Sequence, residues 1–70
     1  MIIKRNRAQC LICGEILESK YVTDRRTCGC GSLSIDGGQS FLGRYCHSDK
    51  AVYKELSEII IEPEEEVTND

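Results

Sequence analysis

Alternating apolar and polar positions predict strands in the first part of the chain. The run 2–9 begins with two isoleucines, continues with polar residues and leads directly into a cysteine, which is typical of an extended strand. Segment 15–19 follows, and the β-branched and aromatic residues of 21–23, continued by 26–27, favour a strand that returns beside it. We therefore predict a first hairpin from 15–19 and 21–27.

A second hairpin is predicted further along the chain. Residues 32–35 alternate polar and apolar side chains and lead into Asp36-Gly37-Gly38, whose Asp-Gly and Gly-Gly steps favour a tight turn. Residues 41–46 can then return antiparallel to 32–35. Together the predicted strands form a small twisted sheet of about three to five strands.

The C-terminal part instead shows helical spacing. One apolar stripe at intervals of three and four residues is formed by Val52, Leu56, Ile59 and Ile60. Ser48, followed by an acid, is a suitable N-cap, and Pro63 cannot continue a helix. We predict a helix from about 49 to 61, in which the consecutive isoleucines 59–61 cannot all be covered, and then an acidic tail over 63–70 of a composition typical of disorder.

Four of the five cysteines form two close pairs, each followed directly by glycine. Cys10 and Cys13 make the first pair, and Cys28 and Cys30 make the second. Two cysteines at this spacing can bind one ion while nearby backbone N–H groups point at the thiolates. Four thiolates in a tetrahedron suit zinc. The alternative is a set of free buried thiols or a disulfide.

An all-cysteine zinc site is structural, because catalytic zinc keeps a position for water and usually has histidine or carboxylate ligands. Cys46 and His47 are further candidate metal ligands, since either could replace one cysteine of the two pairs, which we call the knuckles. We expect Cys46 to be a small buried residue and His47 a surface or capping residue. Neighbours on a strand point to opposite faces, so they do not make a nucleophile and its base. No set of residues fills the roles of a catalytic site, and we predict that the protein is not an enzyme.

Length and composition point to the same metal. Seventy residues allow one domain, and the chain has no Trp, one Phe and three Tyr with which to fill a core. A structural zinc contributes about 10 kcal/mol of folding free energy in small metal-dependent peptides. The odd cysteine count, the absence of a signal peptide and the lack of an apolar run of about 20 residues indicate a cytoplasmic protein with reduced thiols.

Charge is distributed unevenly along the chain. Residues 1–26 carry six basic and three acidic groups, a net charge of +3, whereas residues 27–70 carry three basic and nine acidic groups, a net charge of −6. The sequence pI is about 5.1, well below the value above 9 expected for a dedicated nucleic-acid binder. The chain is therefore dipolar rather than uniformly suited to polyanions.

Three stretches of the sequence resemble a family of small uncharacterised zinc-ribbon proteins of phages and prophages, over roughly residues 2–45. They are Ile3 to Lys20 (IKRNRAQCLICGEILESK), Cys28-Gly29-Cys30-Gly31 and Ile35-Asp36-Gly37-Gly38. The resemblance implies a phage origin, expression inside a bacterial cell, and a metal bound by Cys10, Cys13, Cys28 and Cys30. It implies no established activity.

The expected fold is a small zinc-stabilised α+β protein. Zinc-ribbon-like antiparallel β-hairpins occupy residues 1–47, one C-terminal helix over 48–62 packs on or beside them, and the acidic tail covers 63–70. One structural Zn²⁺ is the only cofactor expected.

For function, we predict a protein-binding module that engages and modulates a bacterial host protein, in the transcription or anti-phage defence machinery. Two features fit this function: negative charge in the tail that could imitate phosphate, and an exposed isoleucine. The candidate partner-binding residues are Ile61, Glu62, Glu64, Glu65 and Glu66. A homodimer is compatible with the same features, whereas a membrane or a small-molecule substrate is not expected.

The alternative is nucleic-acid binding through the basic N-terminal half, with Tyr21 and Tyr45 available to stack on bases. Its candidate residues are Lys4, Arg5, Arg7, Arg25, Arg26 and Arg44. Basic residues on exposed strands also serve as solvated edges that prevent aggregation.

Overall fold

A computed structural model describes residues 2–61, and within this range the chain forms seven strands and no helix. The strands are β1 (Ile2–Cys10), β2 (Ile16–Ser19), β3 (Arg26–Thr27), β4 (Leu33–Asp36), β5 (Gly43–Cys46), β6 (Tyr53–Glu55) and β7 (Glu58–Ile60). They make two antiparallel sheets. β1 has β2 on one side and β6 with β7 on the other, whereas β4 lies between β3 and β5.

β1 organises the first sheet because both of its edges are paired. Ala8 lies opposite Leu17 on β2 and opposite Glu55 on β6. Alternate residues of β1 point to the inside, where Ala8 and Cys10 are fully buried. The small core lies between the two sheets and consists of Ala8, Cys10, Leu17, Cys28, Leu33 and Ile35.

A bulge at Lys4 resets the alternation of β1. Ile3 lies opposite Ile59 whereas Arg5 lies opposite Glu58, so β1 has one extra residue there. Without this extra residue the alternation would turn Ile3 outward, because a shift of one residue moves a side chain to the other face. With it, Ile3 is buried on the same face as Asn6.

The prediction of the second hairpin is confirmed, since β4 and β5 pair antiparallel with Ile35 opposite Arg44. The turn between them depends on Gly37 and Gly38, whose φ values are 103° and 51°. A Cβ atom at Gly38 would also clash with the backbone of Tyr21, so glycine is required there for space as well as for conformation.

Asn6, a buried residue of β1, holds this turn through its side chain. Its side-chain nitrogen lies within hydrogen-bond distance of three carbonyl oxygens that share its two protons, those of Asp36 at 3.0 Å, Gly38 at 2.9 Å and Phe41 at 3.0 Å. Asn6 is only 1% exposed. One buried amide of β1 therefore fixes the loop of the second sheet against the first.

The prediction of the first hairpin was wrong in its pairing. β2 pairs with β1 and not with 21–27, and β3 pairs with β4. The reason is that each cysteine knuckle is itself the connection of a hairpin. In the first knuckle, the Cys10 amide donates to the Glu15 carbonyl at 2.9 Å, and the Gly14 amide donates to the Cys10 carbonyl at 2.8 Å.

The predicted C-terminal helix over 48–62 was also wrong, and the described residues form an all-β fold and not the expected α+β fold. β6 and β7 take its place and pair with the edge of β1 that β2 leaves free. Pairing satisfies the backbone groups of β1, and the aromatic and β-branched residues of this segment suit strands. Ser48 caps only a turn, in which its hydroxyl accepts a hydrogen bond from the Lys50 amide at 3.2 Å. The predicted tail 63–70 lies outside the described residues.

Arg44 joins the C-terminal strands to the second sheet. Its guanidinium donates to the Glu55 carboxylate at 2.9 Å and 2.6 Å, to the Ser57 hydroxyl at 3.1 Å and to the Arg7 carbonyl at 3.4 Å. The side chain is 9% exposed. Residues 53–60 are therefore an integral part of the folded body and not an appended element.

Candidate metal centre

The β1–β2 hairpin and the β3–β4 hairpin each end in one cysteine pair, and the fold brings these two knuckles together. Cys10 is the last residue of β1 and Cys13 lies in the turn that follows. Cys28 comes directly after β3, and Cys30 lies in the turn that leads to β4. Gly14 and Gly31 follow the two pairs with φ values of 83° and 79°, so both knuckles use a glycine in the left-handed region.

The four predicted ligand sulfurs form one cluster. The Sγ atoms of Cys10, Cys13, Cys28 and Cys30 all lie within 4.8 Å of one another. Cys10 and Cys30 are 3.7 Å apart, and Cys28 and Cys30 are 3.5 Å apart. A zinc ion with Zn–S bonds of about 2.3 Å requires sulfur separations of about 3.8 Å in a regular tetrahedron. The cluster can therefore hold a tetrahedral metal ion.

Ser32 is the residue of this site that sequence reasoning missed. Its hydroxyl oxygen lies 3.0 Å from the sulfur of Cys30, 3.3 Å from that of Cys10 and 3.9 Å from that of Cys28. Ser32 is 6% exposed, so the hydroxyl covers this face of the cluster from solvent. The only sequence signal is a small polar residue directly after the second knuckle.

Hydrogen bonds and burial shift the pKa values of the cluster thiols in different directions. The Ser32 hydroxyl, and then the backbone N–H of Cys13, lower the pKa of Cys10 to about 6. Ser32 also lowers the pKa of Cys30, but burial and the neighbouring thiols Cys28 and Cys10 outweigh it and raise that pKa overall. Because the hydroxyl has one proton, it donates to one sulfur at a time, and metal coordination must supply the rest of the stabilisation of four thiolates.

We expect Ser32→Ala to weaken metal binding by about 10- to 100-fold, because second-shell hydrogen-bond partners of metal ligands contribute that much to affinity. A competition titration with a chromophoric zinc chelator measures it. Ser40→Ala, at an exposed serine of the β4–β5 turn, is the matched control and should leave the affinity unchanged. Equal affinities of the Ser32 and Ser40 variants would show that the hydroxyl does not support the site.

Cys46 and His47 do not join the cluster. Cys46 is exposed, contrary to the expectation that it would be buried. The ring of His47 instead contacts Ser34, with 2.8 Å between its Nε2 and the serine Oγ, and Ser34 contacts the Thr27 hydroxyl at 2.7 Å. The histidine is therefore the last member of a chain of polar contacts that joins β3, β4 and the end of β5.

Five of the six basic residues proposed for nucleic acid lie against carboxylates of the same chain. The pairs are Arg5–Glu18 at 2.9 Å, Arg7–Glu58 at 2.9 Å, Arg25–Asp36 at 3.4 Å, Arg26–Asp24 at 2.8 Å and Arg44–Glu55 at 2.6 Å. The sixth, Lys4, is exposed at the bulge. The Arg5 hydrogen bond lowers the pKa of Glu18. These contacts neutralise much of the N-terminal positive charge that the sequence displays.

The proposed stacking residues differ in their surroundings. Arg25 covers the ring of Tyr45, with its guanidinium carbon 4.2 Å from the ring centroid, and the Tyr45 hydroxyl donates to Asp36 at 3.1 Å. Tyr21 is exposed in the loop after β2. One of the two rings is thus already occupied by a cation.

Apolar side chains surround the first knuckle on its solvent side. Leu11 is 52% exposed, Ile12 is 49% exposed, and Val52 is 53% exposed. The Leu11 amide donates to the Val52 carbonyl at 2.9 Å, which places these two residues opposite each other. We call Leu11, Ile12 and Val52 the knuckle patch.

The partner-binding residues predicted from the sequence fall at the end of the described range. Ile61 is 80% exposed, and Ile59 and Ile60 are exposed as well, although the segment is a strand and not the helix from which an exposed isoleucine was expected. Glu62, Glu64, Glu65 and Glu66 lie outside the described residues. Among residues 2–61 there is no helix of the length and apolarity needed to cross a membrane.

Comparison with known proteins identifies one family. The family model described as a domain of unknown function (DUF7695) matches residues 2–47. The match includes both knuckles, Ser32 and strands β1 to β5, and it ends before β6 and β7. No curated protein and no solved structure matches the chain.

Proposed function

We propose a function for this chain from the premise that it belongs to the DUF7695 family, whose description assigns no activity. The chain acts as a protein-binding module that one structural zinc ion holds together. Its partner is a bacterial host protein of the transcription or anti-phage defence machinery, and the binding modulates that protein. The observation that carries the proposal is the knuckle patch, which exposes apolar side chains beside the sulfur cluster.

The donor set supports a structural role for the metal. Four thiolates fill a tetrahedron and leave no position for water, so the ion would stabilise the fold and not activate a nucleophile. Zinc is the metal that this soft tetrahedral set suits best. Cys10, Cys13, Cys28 and Cys30 would hold it, and Ser32 would cover it.

The exposed knuckle supports protein binding. In a chain whose core contains so few large apolar residues, Leu11 and Ile12 are not used for packing. The metal would hold the backbone around them rigid, because both lie between two ligands. A rigid apolar surface with few mobile side chains loses little entropy on binding, which favours a protein partner.

The arginine pairs favour a protein partner over nucleic acid. Cations that already contact carboxylates at 2.6–3.4 Å must break or share those contacts to reach phosphates. Counterion release upon phosphate neutralisation is the main driving force for non-specific nucleic-acid binding. Nucleic-acid binding through these arginines would therefore have a reduced driving force.

The test is capture of partners by the zinc-loaded, tagged chain from nuclease-treated bacterial lysate, with identification by mass spectrometry. We expect the natural chain to capture one host protein at stoichiometric amounts and Leu11→Ser/Ile12→Ser to lose it. Val22→Ser, which changes a similarly exposed residue in the loop after β2, is the matched control and should keep it. All three proteins should contain one zinc ion per chain.

Each alternative has its own result. Capture that disappears with nuclease treatment would favour nucleic acid over protein. Capture that the knuckle variant retains would exclude the knuckle patch as the binding surface. A chain shortened after Ile61 tests the acidic segment 62–70, because unchanged capture by it would exclude Glu62, Glu64, Glu65 and Glu66 from the contact.

A further inference from the structure

The outer edge of β6 and β7 is, within the described part of the chain, an unpaired sheet edge that carries exposed apolar side chains. Within residues 2–61, no strand pairs with this edge, although β1 covers the opposite one. Its side chains include exposed apolar residues at both ends, Val52 and Tyr53 at one and Ile59 and Ile60 at the other. Open, apolar strand edges associate with other strands unless they are shielded.

The hydrogen bonds to β1 determine which backbone groups face this edge. The Leu11 amide donates to the Val52 carbonyl, and the Leu56 amide donates to the Arg7 carbonyl at 3.0 Å. Alternate residues of an antiparallel strand bond to the same neighbour, so Lys54 also faces β1, whereas the backbone groups of Tyr53 and Glu55 face outward.

The same alternation continues into β7. Ala8 lies opposite Glu55 and Arg5 lies opposite Glu58, so the register with β1 is common to β6 and β7 as far as Glu58. The extra residue at the bulge lies in β1 and leaves the alternation of β7 itself unchanged. The backbone groups of Ile59 therefore also face outward. At the junction between the two strands, the Ser57 hydroxyl accepts a hydrogen bond from the Arg7 amide at 3.0 Å and keeps the segment in place.

The sequence of this edge is complementary to itself. When two copies of residues 52–60 are placed antiparallel about a two-fold axis at Leu56, Tyr53 meets Ile59 of the second copy and Val52 meets Ile60 of the second copy. The backbone groups of Tyr53 and Ile59 both face outward, so this register also aligns hydrogen-bond donors with acceptors. A two-fold interface requires such self-complementarity.

Charge selects this register among those that the backbone allows. With the axis at Leu56, Lys54 meets Glu58 of the second copy, and the contact occurs twice. Moving the axis to Glu55 would place two glutamates opposite each other, which is destabilising, and moving it to Ser57 would give no pair of opposite charges. Lys54 and Glu58 lie on the outer face of the sheet, opposite Gln9 and Arg5. Glu58 already contacts Arg7 of its own chain at 2.9 Å, so in the dimer its carboxylate would be shared between Arg7 and Lys54 of the second copy.

We propose that the chain forms a homodimer in which residues 52–60 of two copies pair antiparallel about Leu56 and join the two first sheets. The interface extends along a nine-residue edge and is smaller than a standard stable interface, so the dimer is expected to depend on concentration. It uses the segment beyond the match to the family and shares only Val52 with the knuckle patch, so it does not depend on the proposed host-protein function. The knuckle variant Leu11→Ser/Ile12→Ser should still dimerise.

The experiment is analytical ultracentrifugation of the zinc-loaded full chain from about 1 µM to about 1 mM. Lys54→Glu places like charges opposite each other twice and should weaken the dimer by at least about tenfold. Lys50→Glu is the matched control, since it makes the same charge change in the preceding turn, and should dimerise as the natural chain does. Lys54→Arg keeps the positive charge opposite Glu58 of the second copy and should dimerise as the natural chain does.

Amide hydrogen exchange checks the register. The amides of Tyr53 and Ile59 should become protected as concentration rises, whereas the amide of Lys54, which faces β1, should be protected throughout. A chain that remains monomeric at about 1 mM, or a Lys54→Glu variant that dimerises as tightly as Lys50→Glu, would overturn the proposal. Protection of Tyr53 and Ile59 at every concentration would overturn it too, because another part of the same chain would then cover the edge.

Discussion

Removal of the metal is expected to unfold the chain. Structural zinc contributes about 10–16 kcal/mol of apparent folding free energy in zinc-dependent peptides, whereas a domain of this size has a total stability of about 4–10 kcal/mol. The core is small, and two of its six members, Cys10 and Cys28, are themselves members of the sulfur cluster. A strong chelator should therefore abolish the strand signal in far-ultraviolet circular dichroism and the cooperative thermal transition.

Two cysteine variants separate the metal from general effects of thiol loss. Cys28→Ser removes a buried member of the cluster and should give a chain that neither retains zinc nor unfolds cooperatively. Cys46→Ser makes the same chemical change at an exposed cysteine outside the cluster and should behave as the natural protein. If chelated protein and Cys28→Ser keep the full thermal transition, the two sheets are stable without a metal and the proposed role of zinc is wrong.

The sequence predicts the features that depend on neighbouring residues. Two cysteine pairs with their glycines identify the cluster, because a knuckle is formed within a few residues and its glycine is needed for a left-handed φ. The Asp36-Gly37-Gly38 turn and its flanking alternation likewise predict the pairing of β4 with β5. In each case the residues that determine the structure lie close to one another in the sequence.

The predictions that were wrong concern elements whose structure depends on contacts between residues far apart in the sequence. Residues 52–60 carry a helical spacing of apolar residues, but the unpaired edge of β1, far away in the sequence, makes strand pairing more favourable. Helix propensity and periodicity are weak compared with such tertiary pairing. The contacts of Ser32 and the pairing of Arg7 with Glu58 could not be predicted from the sequence for the same reason, since no local sequence pattern indicates them.

Asn6→Asp is expected to destabilise the protein by at least about 3 kcal/mol, although the side chains have nearly the same shape. In the natural protein the two protons of the Asn6 amide nitrogen are shared among the carbonyl oxygens of Asp36, Gly38 and Phe41. A carboxylate at this buried position would replace the donor with negative charge facing three acceptors. Chemical denaturation of the zinc-loaded proteins measures the difference.

The effect of pH distinguishes charge from loss of shape in this variant. Burial and the three carbonyl oxygens should raise the pKa of the introduced carboxyl group above the ordinary aspartate value of about 3.9. Below that raised pKa the acid is neutral and can donate one hydrogen bond, so the stability difference from the natural protein should shrink as the pH falls from about 8 to about 6.

Gln39→Glu is the matched control, because it makes the same change of amide to carboxylate at an exposed residue. The Gln39 amide donates to the Lys4 carbonyl at 3.2 Å. Its loss should cost less than about 1 kcal/mol, because water can replace the partner. Equal destabilisation by the two variants would show that the turn between β4 and β5 is held by its own glycines and needs no donor from β1.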